Sequence, residues 1–237
     1  MKRETLQKTL NFLMHTFTRL EYIDLHYLPA EGPVIVATNH LSRLDIPVLF
    51  LIPTRPDITA LVTDKYKGYP FLKWFVVTAQ AIWIDRTKAD FTAFRAAYEV
   101  LKEGRALGIS PEGTRSETGK LLEGKSGTIL IASKTGVPVV PVALMGTENS
   151  FPKIFTLQRP RITARFGQAL IVPPLDRDNR EEQLKAYTEE LMCRMAALLP
   201  EKYRGFYRDY PRVKELIAES SQPAPSKEKA ARQPVES

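Results

Sequence analysis

Short apolar runs alternate with stretches of helical periodicity along most of this chain, and that alternation restricts the fold more than any other feature. Runs at 22–28, 34–39, 58–63, 81–85, 106–110, 137–144 and 161–167 read as strands. Between them, apolar residues recur at helical spacing over 43–51, 70–79, 89–103 and 126–135, with a further helix over 180–198. Strands alternating with helices predict an α/β fold with a partly parallel central sheet flanked by helices. With 237 residues, 43% of them hydrophobic, the chain can bury the core of one such domain.

The first 21 residues read as an N-terminal amphipathic helix. Leu6, Leu10, Leu13, Met14, Phe17 and Leu20 form one apolar stripe, and Lys2, Arg3, Lys8 and Arg19 add positive charge. Two readings are open: a helix lying on a membrane, or one packed on the domain's own core. The main domain is expected over 22–218. Residues 219–237, rich in Ser, Pro, Ala, Lys and Glu, read as a disordered tail. The charges among the first twenty residues do not suit a signal peptide, and apolar runs such as Ile46 to Pro53 are too short to span a bilayer. A single cysteine, Cys193, excludes an internal disulfide and suits a reducing, cytoplasmic location. A net charge of +7 favours phosphate-rich partners, nucleic acid or an anionic membrane. No stacking motif of the RNA-binding modules accompanies it, so nucleic acid is not expected.

Chemistry concentrates first in Asn39-His-Leu-Ser-Arg-Leu-Asp45, directly after the apolar run at 34–37. On one helix, positions i and i+5 point about 140° apart. His40 and Asp45 therefore meet only if His40 lies on the turn before a helix and Asp45 in its first turn, with Ser42 as N-cap. So placed, His40 can take a proton from a hydroxyl while Asp45 fixes the tautomer. The competing reading is a capping box, Ser42-x-x-Asp45, with Asp45 serving only backbone N–H groups.

Two further strand ends carry arginines: Arg86 after Ala81-Ile-Trp-Ile-Asp85, and Arg115 within Ser110-Pro-Glu-Gly-Thr-Arg-Ser116. The carboxyl edge of an open α/β sheet is where ligands bind, and two guanidiniums there suit a phosphate. Singly, each is equally a surface residue. Lys65 also follows a strand and is open to two readings, a ligand to the acceptor or a solvated lysine. His15 and His26 lack a companion carboxylate, Cys193 reads as core, and no zinc cluster is apparent. Gly119 to Ser126 matches the P-loop pattern, but the preceding strand ends near Ser110, too far upstream for a working one. Lys153, Arg159, Arg161 and Arg165 occur without an acidic residue between Phe151 and Val172, and aromatics interleave with charge from Tyr203 to Tyr210. Either patch suits a membrane interface; the second equally suits a helix with its rings turned inward.

The four blocks in this order resemble the glycerophosphate and lysophosphatidate acyltransferases. The resemblance runs from Pro33 to Leu144: His40 with Asp45, then Ile82 to Arg86, then Pro111-Glu-Gly-Thr-Arg-Ser116, then Val137-Pro-Val-Val-Pro141. It departs from the usual pattern at Gln80, where glycine is common, and at Ser110, where an aromatic is usual. The resemblance implies transfer of a fatty acyl group from acyl-CoA or acyl-carrier protein to 1-acylglycerol 3-phosphate, without a cofactor or metal. His40 and Asp45 are then the catalytic pair. Arg86 and Arg115 then hold the acceptor phosphate, with Glu112, Gly113 and Thr114 shaping the site; Lys65, from its place after a strand and not from the resemblance, is the further candidate for binding substrate. It further implies phospholipid biosynthesis by a peripheral protein on the inner face of an anionic membrane. Another lysolipid acceptor, a P-loop phosphotransferase and a silent lipid-binding module are the alternatives.

Overall fold

The computed structural model describes residues 2–84 and 89–221. Seven strands form one sheet: β1 (Arg19–Ile23), β2 (Val34–Thr38), β3 (Thr59–Thr63), β4 (Ile82–Ile84), β5 (Ala106–Ile109), β6 (Val139–Met145) and β7 (Arg161–Phe166). Their spatial order is β1-β7-β6-β2-β5-β3-β4. β6, β2, β5, β3 and β4 are mutually parallel, β7 runs antiparallel to β6, and β1 is parallel to β7.

β2 lies at the centre because every one of its residues is apolar or small enough to be buried on both faces. Its side chains alternate between two cores. Ile35 and Ala37 join Leu107, Ile129, Val139 and Met192 on one side, and Val34 and Val36 join Val48, Leu144, Ile162 and Phe166 on the other. Helices α1 (Arg3–Phe17), α2 (Asp45–Phe50), α3 (Pro70–Thr78), α4 (Ala89–Lys102), α5 (Gly127–Thr135), α6 (Ser150–Phe155), α7 (Arg180–Leu198) and α8 (Pro211–Ser221) complete the layers. None of them is long and apolar enough to cross a membrane. Cys193 is buried on α7, as expected of a core residue, and burial pushes its thiol up to about 12.

Three expectations change. The N-terminal helix ends at Phe17, short of Glu21. Thr18 turns to extended backbone, its N–H and hydroxyl both donating to the Met14 carbonyl. Residues 19–23 then pair with β7, a long-range ladder that overrides local periodicity, so the first strand lies at 19–23 and not at 22–28. Leu20, read as part of the helical stripe, is a buried strand residue opposite Ile162. Of the rest of that stripe, Leu6 and Met14 are buried in the second core and Leu10 packs against it, while Leu13 is exposed. Finally, α8 extends through Ser221, so residues 219–221 are helical and only the remainder of the expected tail lies outside the described residues.

Candidate active site

β2 delivers its last residues to the carboxyl edge of the sheet, between β6 and β5. Just past it, the Asn39 side chain clips onto β6. Its Nδ2 donates to the Leu144 carbonyl at 2.9 Å, and its Oδ1 accepts the Leu144 N–H at 2.7 Å. The chain leaves the sheet at His40, turns through 41–44, and enters α2 at Asp45. His40 Nδ1 lies 2.7 Å from Asp45 Oδ2. The same oxygen accepts the N–H groups of Leu41 at 2.7 Å and Ser42 at 2.8 Å, while Ser42 Oγ accepts from Leu44 N–H at 3.0 Å. The capping and orienting readings of Asp45 therefore hold together: one carboxylate does both.

Asp45 is buried, and its second oxygen accepts the Thr147 hydroxyl at 2.5 Å. An ionised carboxylate only accepts, so Nδ1 of His40 carries the proton and Nε2 presents a lone pair. The His40 side chain is 27% exposed, enough to meet a ligand.

The turn after β5 grips the backbone of His40 from both sides. Glu112 Oε1 accepts the His40 N–H at 2.9 Å, and Ser116 N–H donates to the His40 carbonyl at 2.8 Å. Glu112 Oε2 accepts Leu122 N–H at 2.9 Å. Burial raises the Glu112 carboxyl above its ordinary range, partly opposed by those two N–H groups. Gly113 has φ +69°, and a Cβ there would sit 3.3 Å from Lys125 Nζ, so the absent side chain makes room for that ammonium. Thr114, Arg115 and Lys125 are exposed on this turn. Lys65 is exposed in a 3-10 turn after β3, its Nζ 5.0 Å from the centre of the Tyr66 ring. Arg86 lies outside the described residues.

In the segment with a P-loop pattern several backbone amides are already engaged within the protein, which does not suit a phosphate cradle. Leu121 N–H donates to the Tyr203 carbonyl, Leu122 N–H to Glu112, Gly124 N–H to the Tyr207 hydroxyl and Lys125 N–H to the Pro111 carbonyl. The aromatic run from Tyr203 takes part in this clamp. Tyr207 is buried against the loop, and Tyr203 donates its hydroxyl to Glu148 at 2.7 Å. Gln80 occupies the left-handed region at φ +55°, and Ser110 Oγ is buried without a hydrogen-bond partner among the described residues.

Thr147 and the Tyr203–Tyr207 clamp escape sequence reasoning. Thr147 stands 102 positions from Asp45, and only the adjacency of β6 to β2 brings it there. Asn39 is quoted in the first block, but nothing local signals its partner on β6.

Fold and site define an α/β protein with an oriented His–Asp pair at the carboxyl edge of its sheet. The acyltransferase family model matches residues 19–145, more than half of the chain. The 1-acyl-sn-glycerol-3-phosphate acyltransferase of Saccharomyces cerevisiae is 33% identical over 179 residues, covering 73% of this chain and 57% of that protein. The protein of the same name from Borreliella burgdorferi is 32% identical over 128 residues, covering 53% and 51%. A crystal structure of the 1-acyl-sn-glycerophosphate acyltransferase PlsC from Thermotoga maritima shares the fold, with a TM-score of 0.59 over 80% of both chains at 24% identity. This chain belongs to the acyltransferase family. It spans about half the length of the curated relatives it matches.

Proposed function

We propose that this protein transfers a fatty acyl group from a thioester donor, acyl-CoA or acyl-carrier protein, to the free hydroxyl of 1-acylglycerol 3-phosphate, making phosphatidate. The observation that carries this reading is the His40–Asp45 contact, with Nδ1 engaged and Nε2 without a hydrogen-bond partner among the described residues. His40 Nε2 accepts the proton of the acceptor hydroxyl as its oxygen attacks the thioester carbonyl. Asp45 holds the tautomer and offsets the charge on the ring. Collapse of the tetrahedral intermediate expels the thiolate, which takes the proton back from His40. General-base assistance of this kind contributes roughly 10²–10⁴-fold.

Direct transfer fits better than an acyl-enzyme. The Ser42 hydroxyl accepts from Leu44 N–H and the Ser116 hydroxyl bonds Thr118 and Lys120, and no serine or cysteine is paired with the His40 ring among the described residues. The acceptor phosphate is assigned to Arg115 on the exposed turn and, by family resemblance, to Arg86, with Gly113 and Thr114 lining the approach. Lys65 on the neighbouring strand end is the further candidate. A lipid acceptor and a net charge of +7 fit a peripheral protein on an anionic inner membrane face. A different lysolipid acceptor would use the same base.

The test is thiol release from oleoyl-CoA, with and without 1-acylglycerol 3-phosphate, by wild type and His40→Ala. Acceptor-dependent release that disappears in the variant supports the reaction and the base together. Release undiminished in the variant would end this mechanism.

A further inference from the structure

The short helix α6 and the turn after it expose large apolar side chains at the sheet edge where His40 opens. Phe155 is 82% and Leu157 71% exposed. This segment follows directly from Thr147, which holds Asp45, so it flanks the site. Its conformation carries an unusual choice of residue. Gln158 N–H donates to the Lys153 carbonyl and Leu157 N–H to the Ile154 carbonyl, the pair of bonds that closes a helix with one left-handed residue. That residue is Leu157, at φ +57°, where glycine is the unstrained occupant. Arg159 follows at φ +48°. A bulky apolar side chain thus stands at a strained, largely exposed position, a pattern associated with function.

The neighbourhood selects the partner. Arg159 donates to the His15 carbonyl at 2.9 Å, joining this turn to the end of α1, where Phe12 is 70% exposed. Between Phe151 and Val172 there is no acidic residue, and Lys153 and Arg159 make no ion pair among the described residues. Glu21 and Asp24, the acids on the adjoining strand and turn, are committed to Arg161 and Arg165. A few protruding apolar side chains flanked by unpaired cations do not make the roughly 800 Å² per partner of a stable protein interface. They do match the boundary between headgroups and acyl chains, where rings and aliphatic side chains enter and cations stay with anionic headgroups.

We infer that the Phe155–Leu157 tip, with Phe12 on the adjoining end of α1, inserts into the surface of an anionic bilayer and sets the His40 site against it. This rests on the lipid-acceptor reading above and names the surface that would meet the lipid.

The experiment is vesicle co-sedimentation of the full chain, without acyl donor. The vesicles are phosphatidylcholine containing a minor fraction of phosphatidylglycerol. The double variant Phe155→Ser, Leu157→Gly is expected to bind roughly tenfold or more weakly, from the apolar area withdrawn. Leu157→Gly relieves the left-handed strain, so its melting temperature should not fall, which separates lost binding from lost fold. Lys153→Gln is expected to weaken binding to the mixed vesicles by about fivefold and leave binding to pure phosphatidylcholine unchanged. Vesicle binding by the double variant equal to wild type overturns the inference. A change in oligomeric state with unaltered vesicle binding also overturns it, assigning the patch to self-association. Wild type that transfers no acyl group, yet loses vesicle binding with the tip, would end the proposed reaction and leave the docking surface standing.

Discussion

Glu112 accepts the backbone N–H of His40 through a 2.9 Å bond while buried beneath the turn that carries Arg115. The two residues are 72 positions apart in the chain. Their bond makes the third sequence block the floor on which the base stands, and it gives a carboxylate in that block a task that does not require contact with substrate.

Glu112→Gln should lower kcat by about tenfold or more with a smaller change in KM. An amide offers one acceptor oxygen, so either His40 or Leu122 loses its partner, at about 1–3 kcal/mol for a buried group. The pH dependence has a definite sign. Burial raises the folded Glu112 carboxyl, so its contribution to stability is full below the unfolded value and is lost as pH rises through the folded one. The stability gap between wild type and Glu112→Gln should therefore narrow from acidic to neutral pH. Urea unfolding across that range measures it, and a gap that widened would contradict the assignment.

Thr147→Val keeps the shape of the residue and removes the donor to Asp45 Oδ1. A buried carboxylate oxygen left without that bond should cost about 1–2 kcal/mol of stability. Acyl transfer should also fall, because Asp45 would orient His40 less firmly. Steady-state kinetics of the valine and serine variants separate the two effects: serine should restore most of the rate.

Gly205 sits at φ +48°, and a Cβ there would lie 2.1 Å from the Leu121 carbonyl oxygen. Gly205→Ala must push apart the clamp between residues 121 and 203–207, with a loss of more than about 2 kcal/mol. For a chain of this size that is a fall of about 4–8 °C in melting temperature. Leu122 is tied to Glu112, so turnover should fall as well. An alanine variant with unchanged melting temperature and rate would show that the clamp yields freely.

Gln80 closes α3 as Leu157 closes α6: its N–H donates to the Val77 carbonyl and Ala81 N–H to the Val76 carbonyl, with Gln80 left-handed between them. Glycine is the residue the family resemblance leads one to expect there. Gln80→Gly should stabilise the protein by about 0.5–1 kcal/mol, since it removes the clash between Cβ and the backbone. Thermal unfolding tests this, with no change in vesicle binding expected.

The limits of sequence reasoning follow the range of the interactions involved. His40 and Asp45 were legible because five residues and one turn decide whether they meet. The helices at 70–78, 127–135 and 180–198 were legible because their apolar spacing is local. α6 was not, since six residues are too few to show a period. The first strand was misplaced because Arg19 to Ile23 becomes a strand only by pairing with β7, far along the chain. The stripe on α1 left two readings open; Leu6 and Met14 pack into the core, while Leu13 of the same stripe stays exposed.

Sequence by itself determined the class of fold, the His–Asp pair and the order of the four blocks, because propensity, hydrophobic period and short-range spacing act within a few residues of each other. Tertiary structure alone decided that β6 stands beside β2, bringing Thr147 to Asp45, and that the Tyr203–Tyr207 segment takes the Leu121 and Gly124 amides of the loop with the P-loop pattern. Those contacts depend on strand order and packing, which bring together residues separated by most of the chain and leave no mark on the local pattern of either.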